Sequence, residues 1–253
     1  MAVPDLQVFP DPDTLSRAAA ELLIAIATQA VQAHGRCNVA LSGGSTPQTL
    51  YRLLAQLPYR GRLPRSKLHF FWGDERCVPP DHPESNYHQA QLALLAPAAI
   101  PPENIHRVKG EWEPAAAAQD YAAQLNHASR ADEGFAWPRF DLVLLGMGGD
   151  GHTASLFPGP ITAADLNGPT LAVTASYQNR PANRVTLTPL VFNTARNILF
   201  LVTGADKAET LAAVLTGPFN PERWPAQRIR PDHGSVAWFV DRAAASHLKS
   251  TRT

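Results

Sequence analysis

Short apolar runs recur along the chain and alternate with longer stretches in which leucine, isoleucine and alanine return every three or four positions. A run without polar alternation fits a strand buried on both faces, and a return every three or four positions fits an amphipathic helix. On this reading strands cover Leu6 to Phe9, Cys37 to Leu41, Leu68 to Trp72, Ile105 to Val108, Asp141 to Leu145, Thr170 to Ala175, Arg184 to Thr188, Ile198 to Val202 and Ser235 to Val240. The pattern predicts a long first helix after a turn at Pro10-Asp11-Pro12, capped by Asp13 or Thr14 and ended by Gly35. Leu15, Leu22, Leu23 and Ile26 form its core stripe. Further helices are expected from about Pro47 to Leu57, from Ser85 or Asn86 to Leu95, from Ala115 to Ser129, from Pro189 to Ala195, from Gly204 to Leu215, and after a cap at Asp241. The stretches Pro97 to Pro102, Ala131 to Pro138, Tyr177 to Asn183 and Gly217 to Pro231 read as connections. Strands and helices alternate throughout. The predicted fold is therefore α/β: an open, mostly parallel, Rossmann-like sheet with helices on both faces, as one domain over residues 1–253.

Composition narrows the functions. Lys+Arg and Asp+Glu are both 22, so the whole chain offers no electrostatic footprint for nucleic acid or an anionic membrane. The two cysteines, Cys37 and Cys77, lie in or beside expected core strands and form no CxxC or Cys/His cluster. That argues against a disulfide scaffold and a structural zinc site. No apolar run approaches a membrane span of about 20 residues, and no basic-plus-apolar leader is seen, so a cytoplasmic location is expected.

The candidate chemistry centres on Phe140 to Pro158, FDLVLLGMGGDGHTASLFP. The strand from Asp141 stops at Gly146; glycines surround Asp150, and His152 follows. Thr153 to Leu156 would open a short helix that Pro158 limits. A strand end, a glycine turn and a helix start make the usual ligand crevice of an open α/β sheet. An imidazole there can take a proton from water near neutral pH, and Asp150 would orient the ring or hold the water. The spacing is not that of a dinucleotide fingerprint, and without a G-x-S-x-G elbow a serine acyl-enzyme is disfavoured.

A second glycine turn, Ser42-Gly43-Gly44-Ser45-Thr46, follows the Cys37 strand and leads into Pro47. Either Thr46 caps a helix that starts at Pro47, or Ser45 and Gln48 make a capping box. Both place hydroxyls and backbone N–H groups at a helix N-terminus, a ready anion site, though not a Walker loop. The Leu68 strand ends at Gly73-Asp74-Glu75-Arg76, which reads either as a solvated loop or as crevice lining.

Five segments, residues 41–50 (LSGGSTPQTL), 70–87 (FFWGDERCVPPDHPESNY), 141–159 (DLVLLGMGGDGHTASLFPG), 184–188 (RVTLT) and 204–211 (GADKAETL), together resemble the 6-phosphogluconolactonase family in order and separation. Residues 228–244 fit it too. The resemblance implies a fold shared with glucosamine-6-phosphate deaminase and a sugar phosphate bound at the carboxyl ends of the sheet. It implies hydrolysis of 6-phosphogluconolactone to 6-phosphogluconate in the oxidative pentose phosphate pathway, with no metal and no cofactor. His152 would be the base, with Asp150 behind it. Arg76 would face the oxyanion or the product carboxylate, with Asp74 and Glu75 setting its position; the alternative is a surface ion cluster of all three, and the resemblance favours the site reading for Arg76 and leaves Glu75 open. The resemblance sets Arg184 and Lys207 beside the Ser42 to Thr46 loop as phosphate ligands. In the deaminase version of the central motif a carboxylate stands directly before the proline. Here that residue is Phe157, which disfavours isomerisation or deamination. A non-catalytic sugar-phosphate sensor would have no need of His152.

Overall fold

A computed structural model describes residues 5–129, 134–176 and 180–248. Six strands form an all-parallel sheet: β1 (Asp5–Phe9), β2 (Cys37–Leu41), β3 (Leu68–Trp72), β5 (Leu142–Leu145), β8 (Asn197–Val202) and β9 (Ser235–Asp241), in the order β1-β9-β8-β5-β2-β3. The remaining three, β4 (Asp74–Arg76), β6 (Thr170–Thr174) and β7 (Asn183–Leu187), make a small antiparallel sheet in the order β4-β7-β6. That second sheet was not anticipated, and it places Asp74 to Arg76, read as solvated loop or crevice lining, in a strand.

The parallel sheet sits between two apolar layers because strand side chains alternate in direction. Leu142, Leu144, Leu199 and Leu201 point into a core with α1 (Pro12–His34) and α2 (Ser45–Leu54). Val143, Leu145, Ile198, Phe200 and Val202 point the other way, into a core with α5 (Pro114–Ala128) and α7 (Ala208–Thr216). Each fully buried Leu or Val contributes roughly 1.5–3 kcal/mol. Shorter helices, α3 (Tyr59–Arg62), α4 (Asn86–Ala90) and α6 (Pro189–Phe192), sit among the connections.

The helix ends differ from expectation where local chemistry is stronger than the pattern. Asp11, not Asp13 or Thr14, caps α1: its extended backbone lets Oδ1 accept from Thr14 N at 2.7 Å, and Pro12 takes a position that needs no donor. Gly35 closes the helix in the left-handed region at φ 84°. Leu15 and Leu23 are buried, while Leu22 and Ile26 pack at the margin. Against expectation, α1 has the length and mean hydropathy, 1.2, of a membrane span, yet half of that window is buried inside the fold. In α2, Ser45 is already helical after Gly44, and neither Ser45 nor Thr46 caps by its side chain. A single bridge, Ile105 to Phe70, replaces the strand expected to Val108. There Gly110 draws the chain against the Arg76 and Val78 carbonyls. Of the expected connections, residues 131–133 and 177–179 lie outside the described residues.

From β2 the sheet grows outward to β3, whereas from β5 it grows the other way through β8 to β9. The carboxyl ends of β2 and β5 are therefore adjacent while their continuations diverge, which opens a crevice at the top of the sheet.

Candidate active site

The loop after β5 is built to hold one imidazole. His152 Nδ1 lies 2.6 Å from Asp150 Oδ1, and His152 N donates to the same oxygen at 3.1 Å. Gly148 N donates to His152 O at 2.9 Å, and Gly151 N to Gly148 O at 3.0 Å, closing the turn. A Cβ at Gly148 would fall on the imidazole, and one at Gly151, whose φ is 83°, would meet Trp224. Burial would raise the Asp150 carboxyl, but the hydrogen bond and charge of His152 outweigh it and hold the group below the ordinary aspartate range. An ionised carboxylate can only accept, so Nδ1 is the donor of this pair and, in the neutral ring, Nε2 carries the lone pair.

The helix expected at Thr153 to Leu156 is absent. Thr153 and Leu156 form an isolated bridge around Ala154 at φ 49°, a value no right-handed helix takes. Ser155 explains the geometry: its Oγ donates to Asp74 Oδ2 at 2.6 Å, tying this turn to β4.

The loop after β2 supplies the opposite wall. Tyr51 Oη donates to Ser42 O at 2.8 Å and takes Ser42 N–H at 3.1 Å, so the first of the expected amides is occupied. The amides that open α2 remain as the positive end of a ten-residue helix. Thr46 Oγ1 meets Thr203 Oγ1 at 2.8 Å, joining this loop to the end of β8. Lys207 follows β8; its Nζ sits 2.8 Å from Asp206 Oδ2 with the side chain only 20% exposed.

The small sheet carries the third wall. Arg76 of β4 is the register partner of Arg184 of β7, so two guanidinium side chains rise from the same face. Both residues are buried, 6% and 3% exposed, and Arg76 Nε and Arg184 Nη2 have no protein partner. Like charges directly opposite are destabilising alone and favourable around a shared anion. Burial pulls Arg184 below the ordinary arginine range; Asp74 opposes this, while Arg76 and Arg180 add to it. Asp74 and Glu75 do not position the Arg76 guanidinium. Glu84 does, through its carbonyl at 2.6 Å and its carboxylate at 3.6 Å. Glu75 points to the other face, where its oxygens accept from Arg76 N, Asn86 N and Tyr87 N, each at 2.7 Å, and from Ser85 Oγ at 3.0 Å. Burial pushes this carboxyl up to about 7 despite those donors. The charged triplet is neither a solvated loop nor a surface ion cluster, since all three residues are buried.

Ser42, Gly43, Gly44, Ser45, Thr46, Asp74, Arg76, His152, Arg184 and Lys207 all line one cavity of about 320 Å³. Asp150 does not line it and reaches it through His152. Sequence reasoning missed Arg180, Thr203 and Asn86, which also line the cavity. Asn86 Nδ2 donates to Asp74 O at 2.8 Å, and its amide fills the space a Cβ at Gly43 would need. Nothing local marks these residues; their places come from long-range packing. Among the described residues no group of three or more His, Cys, Asp and Glu is placed to hold a metal ion.

Residues 10–238 match the family model described as glucosamine-6-phosphate isomerases/6-phosphogluconolactonase. A 6-phosphogluconolactonase of Haemophilus influenzae is 41% identical over 211 residues, covering 83% of this chain and 87% of that protein. The solved 6-phosphogluconolactonase of Trypanosoma cruzi superposes with a TM-score of 0.83 at 31% identity, covering 98% of each chain. A monomeric glucosamine-6-phosphate deaminase shares the fold, with a TM-score of 0.82 at 22% identity, covering 96% of this chain and 99% of that one.

Proposed function

The chain belongs to the family of glucosamine-6-phosphate isomerases and 6-phosphogluconolactonases, and from that membership we propose how its residues divide the work of hydrolysing a lactone. It is an enzyme with 6-phosphogluconolactonase activity, the lactone hydrolysis of the pentose phosphate pathway. His152 Nε2 takes a proton from a water molecule as its oxygen attacks the lactone carbonyl. The carbonyl electrons move onto oxygen, and the Arg76 side of the cavity faces the charge that develops there. When the carbonyl re-forms, the ring C–O bond breaks, and the imidazolium returns its proton to the departing ring oxygen. Asp150 keeps the ring in the required tautomer and stabilises the imidazolium between the two transfers. The 6-phosphate lies at the start of α2, held by the loop amides and hydroxyls, the Arg184 fork and the Lys207 point charge.

The observation that carries this reading is His152, held at 2.6 Å by Asp150, on the wall of a cavity that Arg76, Arg184 and Lys207 also line. Isomerisation or deamination finds less support. Phe157 precedes Pro158, and its ring packs 4.8 Å from the His152 ring, where those reactions would call for a carboxylate.

The test is a pH-stat assay on freshly made 6-phosphogluconolactone with spontaneous hydrolysis subtracted. His152→Ala should bind substrate and lose roughly 10²- to 10⁴-fold in catalysed rate. Wild-type activity should fall on acidification, because a protonated imidazole cannot act as the base. Near-normal turnover in the variant, or a flat profile in the wild type, contradicts the mechanism.

A further inference from the structure

At the opposite end of the sheet a second cavity, of about 480 Å³, opens between α5 and the first residues of β2 and β3. Its walls include Arg36, Asn38, His69, Phe71, His106 and His127. None of these has a part in the lactone chemistry.

Two side chains there point to a ligand. Asn38 is 2% exposed and its Oδ1 has no partner, while its backbone N–H is fixed at 2.9 Å on Asp141. Arg36 gives one arm to the Ala128 carbonyl at 2.6 Å, and its buried Nε has no partner. A buried amide oxygen and a buried guanidinium nitrogen without partners are costly unless something else meets them.

The rest of the wall says what that something is. Phe71 stacks on His106 at 4.3 Å and 12°, and His69 Nδ1 bonds His106 Nε2 at 3.1 Å, so this side is flat and aromatic. The carboxylate lining the cavity, Asp120, is already paired with Lys109 at 2.7 Å. Burial, then the neighbouring His69, Arg36 and His127, push His106 down to about 4, while Glu103 and Lys67 act on His69 with opposite signs. The cavity thus gathers the Arg36 guanidinium and three histidine rings beside an aromatic wall and one buried acceptor.

We propose that this cavity binds a small, flat organic anion, with its carboxylate or phosphate against Arg36 and His127, its ring against the His106 side of the stacked Phe71–His106 pair, and a hydroxyl or N–H toward Asn38 Oδ1.

The probe is 4-hydroxybenzoate, with 4-hydroxybenzamide as the neutral comparison, titrated into the isotope-labelled full chain while the histidine ring signals are followed by NMR. The acid should shift His69, His106 and His127 saturably, and the amide should bind about tenfold more weakly or worse. Arg36→Gln should weaken the acid by about tenfold and leave lactone hydrolysis unchanged. If that variant fails to fold, His127→Gln, on the exposed side of α5, should weaken it severalfold. Shifts confined to His152, equal binding of acid and amide, or full affinity in the folded variant would each overturn the site.

Discussion

The two sheets of this protein are built on opposite principles. The central strands of the six-stranded sheet are apolar and buried on both faces, with Val143, Leu144, Leu145 and Phe200 all fully buried. In the three-stranded sheet β4 and most of β7 are as buried, yet they carry Asp74, Glu75, Arg76, Arg184 and Thr186. A sheet chosen for stability alone would not set Arg76 opposite Arg184. The large sheet holds loops in place, and the small sheet sets Asp74, Arg76 and Arg184 on the cavity those loops line.

The largest expected effect separates these roles by stability. Leu144→Ala, in the middle of β5, should lower unfolding free energy by about 2–5 kcal/mol by leaving a cavity. Activity per folded molecule should be unchanged, as measured by denaturant titration alongside the lactone assay.

The small sheet should instead show a pH-dependent stability. With Glu75 pushed up to about 7 from an ordinary 4.5, the folded chain holds a proton in that window that the unfolded chain releases. Stability from this group is full below about pH 4.5 and is lost as pH rises through about 7. The loss is up to about 3 kcal/mol, since one unit is worth about 1.4 kcal/mol. Wild type minus Glu75→Gln should show this slope in unfolding free energy, and the Leu144→Ala difference should not. A flat difference for Glu75→Gln would remove the contrast.

Slightly smaller is the effect of Gly148→Ala. Its Cβ would land on the imidazole and close to Asp150 Oδ1, displacing the pair without touching either sheet. A shift of this kind costs about 10²-fold in kcat, or roughly 2.7 kcal/mol, with KM nearly unchanged. Steady-state kinetics on the folded variant read it directly.

The same contrast explains what was legible in the sequence. The strands of the large sheet read clearly because burial on both faces requires unbroken apolar runs such as Leu142–Leu145. The triplet Asp74–Arg76 has no such run, and its place in a strand depends on β7, with Thr186 Oγ1 reaching Gly73 O across 113 positions. The glycine turns around Ser42 and His152 were visible because close packing and positive φ leave a local signature. Their tie to the small sheet was not, since Ser155 meets Asp74 across 81 positions. For the same reason the expected helix at Thr153 was a bridged turn, and Asn86 and Arg180 went unnoticed.

The most direct test of this division sets Arg184→Ala beside His152→Ala on two substrates, 6-phosphogluconolactone and the unphosphorylated lactone. Losing charge-assisted bonds worth roughly 1.5–3 kcal/mol, Arg184→Ala should weaken binding of the phosphorylated lactone by about tenfold to a hundredfold or more and lose most of its preference for it. His152→Ala should slow both substrates alike. Inorganic phosphate should compete with substrate in the wild type and less so in the Arg184 variant. A folded Arg184→Ala protein that keeps the full preference for the phosphorylated lactone would contradict the assignment and place the anion site elsewhere.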